Sequence, residues 1–183
     1  MTGVFVVLAI IVLFVLFTVF TYNGFVRKKL SVDNSFSQIK IQCKKRFDLV
    51  PNLVETVKGY AKHEKETLEN VIAARNMGAS ANTPADLEKA SNQLTQTLGK
   101  LFSLTEAYPD LKANSNFVNL QNELVGLEKA IAISRQIYND SVMVYNRAIL
   151  VFPNVIFAGV FRFEKVQFFE APAEETQNVK VSF

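Results

Sequence analysis

The chain holds one histidine and one cysteine, and these limit its chemistry before any fold is considered. His63-Glu64 opens like a zinc-protease helix, but the second histidine of HExxH would stand where Thr67 is. Multi-histidine metal sites are therefore out of reach, and Cys-rich zinc sites fail for want of thiols. Cys43 as a nucleophile needs a base. His63 lies roughly five and a half helical turns further along, so only a long fold-back would join them. The seven glycines are scattered, with no phosphate-cradling loop among them. Glu55, Glu106, Glu123, Glu128 and Asp140 fall on helical sequence, where a di-metal bundle site would draw its ligands. Such sites use Glu-x-x-His pairs that this chain cannot supply, which leaves only a carboxylate-only site. We expect no catalytic, cofactor-binding or metal-binding residues, and no cofactor.

The remaining polar residues within apolar stripes are Arg46, Asp48, Asn52, Glu64, Arg75, Arg135, Asn139, Asp140 and Asn146. Buried charges must be paired or hydrogen-bonded. The expectation is a structural polar layer that fixes helix register. The stretch RFDLVPNLVETVKGYAKHE, Arg46 to Glu64, then reads as a hinge centred on Pro51, because proline removes a backbone donor and clashes one turn back.

These residues need long helices to position them, and the spacing provides for that. Phe36, Ile39, Cys43, Phe47 and Val50 form one stripe at steps of three and four; Leu53, Val57, Tyr60, Glu64, Leu68 and Val71 form a second. Leu87, Leu94, Leu98 and Leu101 carry a third. A fourth runs from Phe117 through Leu124, Ile131, Tyr138 and Tyr145 to Phe152. Thr83-Pro84-Ala85-Asp86 is a helix start, with Thr83 as N-cap and Pro84 in the first turn. Gly78 suits a left-handed cap after the second stripe. Asn114 or Ser115 opens the fourth, and Phe152-Pro153 closes it. Short connections make neighbours antiparallel. The expected class is all-α: an antiparallel four-helix bundle over 26–152, behind an N-terminal transmembrane anchor over 1–25 and ahead of an aromatic, β-like tail over 153–183.

The anchor is GVFVVLAIIVLFVLFTVF, residues 3–20, with Thr18 its only polar member. Extended to Gly24 it makes roughly 33 Å of helix, enough for a bilayer core. A cleaved signal peptide would need a basic start and a small-residue cleavage site, and neither is present. Arg27, Lys28 and Lys29 follow the span as a membrane-surface cluster. The positive-inside rule puts the N-terminus outside and the bundle in the cytoplasm, at the inner (plasma) membrane. Residues 26–50 carry seven Lys/Arg and two Asp, a net +5, while the rest carries 13 basic and 15 acidic residues, a net −2. Basic charge concentrated beside the bilayer suits anionic lipid and is a poor nucleic-acid footprint. The lipid bilayer is thus the first partner, with no nucleic acid expected.

In the tail, VQFF and VKVSF are strand-like around the polar APAEETQN. Phe168, Phe169 and Phe183 are expected as oligomer contacts, since a thin hairpin cannot bury so many rings alone. A homo-oligomer, and a second membrane protein as a further partner, follow from that.

Several blocks carry a family likeness: YNGFVRKKLSVDNSFSQI, CKKRFDLVPNLVETVKGYAKHEKETLENVIAAR, AYPDLKANSNFVNLQNEL, EKAIAISRQIYNDSVMVYNRAIL and FPNVIFAGVFRF. In order and over nearly the whole chain from Tyr22, they resemble the LemA family of bacterial proteins. The resemblance implies a single-span membrane protein with a long antiparallel helical bundle and no established biochemical role. One relative takes part in forming magnetosome membranes, which implies membrane organisation. Phe36 departs from the tryptophan common nearby in the family, a change that affects packing. The expected function is a non-enzymatic membrane-anchored scaffold or adaptor that self-assembles. The alternatives are a regulatory partner of a membrane enzyme such as a protease and, third, a carboxylate-metal enzyme.

Overall fold

The computed structural model describes residues 1–169, and they are helical almost throughout. Helix α1 spans Thr2–Lys58, α2 Lys65–Ser80, α3 Pro84–Leu104, α4 Pro109–Lys112, α5 Ser115–Leu150 and α6 Asn154–Val160, with a 3-10 turn at Thr105–Ala107. The described residues contain no strand. The strand-like reading of the tail is not met over Val166–Phe169, and VKVSF lies outside the described residues. The chain divides into two compact units. Unit one combines residues 1–36 with 136–168; unit two takes 37–135 together with Phe169.

The helix ends show which local signals act. Thr83 caps α3 by accepting from the Asp86 N–H at 3.1 Å, and Pro84 sits in the first turn. The Asn114 side chain accepts from the Phe117 N–H at 3.0 Å and opens α5. α5 stops at Leu150, ahead of the cis Phe152–Pro153 bond.

Two expected breaks lie elsewhere. Pro51 is inside α1 and exposed, so the lost donor faces water. The chain instead turns at Gly59–Glu64, where glycine is a poor helix former. The Val57 carbonyl accepts from both Tyr60 and Ala61, which brings Ala61 into the core beside Val57. Gly78 is not a left-handed cap, because α2 continues to Ser80 and no glycine has positive φ. It is buried because α2 approaches α1 there. A Cβ at Gly78 would run into the Phe47 ring.

In unit one, α1 buries Phe25, Val32 and Ser35, and α5 buries Tyr138, Val142, Tyr145, Asn146 and Ile149. Ser35 and Ser141 share a hydroxyl hydrogen bond at 3.0 Å, and Phe36 meets Tyr138 at 6.0 Å. One step forward on α1 pairs with three steps back on α5, so the helices run antiparallel here. In unit two, α1, α2, α3 and α5 all contribute buried side chains, among them Ile39, Phe47, Leu53, Val71, Leu94, Leu98, Phe117, Leu124 and Ile131. The α5 residues Phe117, Leu124 and Ile131 repeat every seven places, the spacing that keeps one seam turned inward. On α1 the same period runs Ile39, Arg46, Leu53, so a charged residue holds a core place in the seam.

Candidate membrane-contact site

Unit one turns apolar side chains outward. Nearly every large residue from Val4 to Phe20 is exposed, and this part of α1 is long and apolar enough to cross a membrane. On one side it receives α6, whose axis turns 94° from that of α5. Phe157 meets Phe14 at 6.1 Å and Phe17 at 5.5 Å. Phe161 and Phe163 meet Tyr22 at 5.0 and 5.6 Å, and Phe163 meets Phe25 at 5.2 Å. Offset and edge-on ring pairs of this kind add about 0.5–1.5 kcal/mol each beyond area burial. An apolar groove of about 470 Å³ lies between the two elements, lined by Phe14, Phe17, Thr18, Pro153, Ile156, Phe157, Val160 and Phe161.

The basic cluster lies one to two turns further along α1. The Arg27 Nε donates to the Asn23 carbonyl at 3.3 Å, and Lys29 pairs with Asp33 at 2.6 Å. Arg27 and Lys28 border a recess with Ser31, Ile137, Asp140, Ser141 and Val144. α6 ends in a Schellman cap: Phe163 N–H donates to the Ala158 carbonyl and Arg162 N–H to that of Gly159. Arg162 takes φ 56°, a place where glycine is usual.

Beyond α6 the chain has no ladder to join, and α5 side chains serve in its place. The Asn146 amide both donates to the Val166 carbonyl at 2.8 Å and accepts from the Val166 N–H at 2.9 Å. The Tyr145 hydroxyl donates to the Glu164 carbonyl at 3.0 Å and that of Tyr138 to the Gln167 carbonyl at 3.1 Å. The strand-like composition of this segment reflects a backbone that is paired, but with side chains.

Among the described residues, unit two carries one charged residue in its core. Arg46 is 3% exposed and forms an ion pair with Glu128. Its guanidinium also donates to Thr95 at 3.1 Å and lies 3.5 Å from Ser91. Arg135 approaches Asn92 at 3.5 Å and lies over the Phe169 ring at 5.8 Å. Burial pushes Arg46 below its ordinary value, against the pull of Glu128. Burial likewise pushes the Cys43 thiol up to about 11, with the neighbouring arginines opposing it. A thiol held neutral in this way is inert.

The family model for the LemA family matches residues 35–183. The chain belongs to the LemA family. It is 25% identical to magnetosome protein MamQ of Magnetospirillum gryphiswaldense, over 85% of this chain and 67% of the relative. It is 26% identical to protein LemA of Metamycoplasma hominis, over 87% of this chain and 74% of the relative.

In this LemA-family chain the residues expected in a polar layer lie in several places. Arg46 and Asn146 are buried, but in different units. Asp48 pairs with Lys44 at the surface, and Asn52 is exposed. Glu64 is half-buried and accepts from the Tyr108 hydroxyl at 3.0 Å. Arg75 contacts its neighbour Asn76. Asn139 is half-buried and Asp140 exposed. Glu55 pairs with Lys58, Glu106 with Lys112 and Glu128 with Arg46, while Glu123 and His63 are exposed. No group of three His, Cys, Asp or Glu that could hold a metal ion occurs among the described residues. Phe169 is buried against Arg135, Phe168 is half exposed, and Phe183 lies outside the described residues. The sequence reading missed Glu128 as the partner of Arg46. It also missed the tyrosine hydroxyls as backbone donors. The signal for the latter is two tyrosines seven apart on a buried stripe, whose hydroxyls need partners.

Proposed function

We propose that this LemA-family chain is a non-enzymatic, membrane-anchored scaffold that self-assembles at the inner membrane and organises it. The observation that carries the reading is the composition of unit one. A helix long and apolar enough to cross a membrane, an apolar side helix and the Arg27-Lys28-Lys29 cluster share one compact unit, a composition that suits a bilayer and its surface. Similarity to proteins named for the magnetosome supports membrane organisation. We read unit two as an antiparallel four-helix bundle lying in the cytoplasm, the side that the basic cluster favours. Of the three rings expected as oligomer contacts, we assign Phe168, which is exposed, and Phe183 to the oligomer, and not Phe169, which is buried against Arg135. Removal of residues 168–183 is expected to reduce the size of the detergent-extracted particle. An unchanged size would exclude self-assembly through the tail.

A further inference from the structure

We propose that α6 is a second membrane-inserted element, lying flat within one leaflet, and that its groove against α1 is filled by a lipid acyl chain. The inference rests on the anchor reading above and goes beyond it.

Depth is set by which α1 residues α6 touches. Tyr22 stands at the aqueous end of the span, with Arg27 one to two turns beyond it. Phe157 contacts Phe14 and Phe17, which are five and eight residues back toward the bilayer centre. At 1.5 Å per residue that places Phe157 roughly 8–12 Å below Tyr22, close to the depth reached by interfacial amphipathic helices. Orientation follows from the bend. α5 runs antiparallel to α1 in this unit, and α6 turns 94° away from it. α6 therefore lies across the spanning direction, in the membrane plane.

The surface of α6 fits that depth. Phe152, Val155, Ile156 and Val160 are all exposed, Val160 at 70%. No charged residue occurs from Leu150 to Phe161. Charge returns at Arg162, Glu164 and Lys165, where the chain has come back beside Tyr22 and Phe25. The left-handed backbone at Arg162 carries a steric cost that glycine would avoid. That cost is consistent with a cation wanted at headgroup level. The groove presents no polar surface, and its walls are contiguous with the spanning segment, so its occupant is what surrounds that segment.

The test uses the full chain in phosphatidylcholine–phosphatidylglycerol vesicles, with Cys43→Ser and one reporter cysteine bearing an environment-sensitive fluorophore. Reporters are placed by Ile156→Cys or Val160→Cys on α6, by Phe14→Cys in the anchor and by Ile133→Cys, exposed in unit two. Quenchers are nitroxide lipids labelled near the headgroup end of the acyl chain, and aqueous iodide. The expected result is that both α6 reporters are quenched by the lipid probe and protected from iodide, as at Phe14. If they behave as at Ile133 while Phe14 is quenched, the inference fails and the anchor stands. If Phe14 is not quenched either, the anchor reading itself fails and the inference with it. Protection of the α6 reporters from both probes would mean that a second copy covers α6, which overturns the lipid assignment.

Discussion

Unit one and unit two solve the same packing problem with opposite materials. Unit one leaves the apolar residues of Val4–Phe20 and of α6 largely on the outside and pairs the backbone after α6 with uncharged side chains, Tyr138, Tyr145 and Asn146. Unit two hides its apolar residues and places an ion pair, Arg46–Glu128, within the seam. On the reading that the anchor and α6 meet a bilayer, the difference in apolar exposure follows from the medium, whereas the neutral clips to Glu164, Val166 and Gln167 lie beyond Arg162, outside the hydrocarbon. A segment surrounded by hydrocarbon gains nothing by hiding leucine and phenylalanine, but must satisfy every backbone group. A segment surrounded by water gains about 25 cal/mol for each Å² of apolar surface hidden, and can pack many sequences equally well. A charge at one core place breaks that degeneracy, as polar residues in coiled-coil seams do.

The largest expected effect separates the two halves of the ion pair. Arg46 is almost fully buried, whereas Glu128 keeps 37% of its side chain exposed. Glu128→Ala leaves a buried cation with only hydroxyl partners, and about 3 kcal/mol of stability should be lost. Arg46→Met leaves a carboxylate whose paired oxygen is buried but whose side chain is partly exposed and can turn toward water, so the loss should be nearer 1 kcal/mol. Chemical denaturation of the full chain in detergent measures both. Equal losses would mean that burial of Arg46 does not govern the pair.

Next is Gly78→Ala. On helix propensity alone the change should stabilise α2 by up to about 1 kcal/mol. Against the Phe47 ring it should instead destabilise by about 2 kcal/mol, since overpacking forces side chains off their rotamers. Adding Phe47→Leu should recover part of the loss. A stabilised single variant would show that α1 and α2 are not in close contact at this point.

These two cases mark what the sequence made legible. Helices, their stripes and their caps were readable, because Thr83, Asn114 and Pro153 act within one turn of themselves. The long apolar helix at the N-terminus was readable from length and composition. Gly78 was misplaced because a glycine needed for close approach and a glycine needed for a cap look identical until the neighbouring helix is known. Pro51 misled because its cost depends on which side of the helix it faces. α6 was absent from the reading because a segment as short as Asn154–Val160, apolar after its first residue, carries too little periodicity to tell helix from strand. The partner of Arg46 is 82 positions away in the chain, beyond any local pattern.

A smaller effect is expected at Asn146, which tests whether unit one relies on neutral clips. Asn146→Ala removes both hydrogen bonds to Val166, worth about 1–2 kcal/mol locally. The Val166 amide should then exchange its hydrogen on the order of 10-fold faster. Exchange in unit two, for example at Leu94, should be unchanged. Asn146→Asp should act less strongly on this amide, because a carboxylate still accepts from the Val166 N–H although it cannot donate to the Val166 carbonyl.

The smallest effect, nil at neutral pH, concerns Cys43. Its thiol is raised from 9.0 to about 11 by burial. The unfolded chain therefore releases this proton at lower pH than the folded chain. The thiol's contribution to stability is fully present below pH 9, and it declines as pH rises toward 11. Tyrosines and lysines titrate over the same range, so the comparison must be with Cys43→Ala, which keeps them and removes the thiol. The difference in stability between the two proteins should be flat from pH 6 to 8 and should shift against the natural chain above pH 9. Alkylating reagents at pH 8 should label the folded chain far more slowly than the denatured one. A difference that stays flat above pH 9 would mean that the thiol is not shifted and that water reaches the Cys43 sulfur. The core of unit two would then be open at the layer beside Arg46.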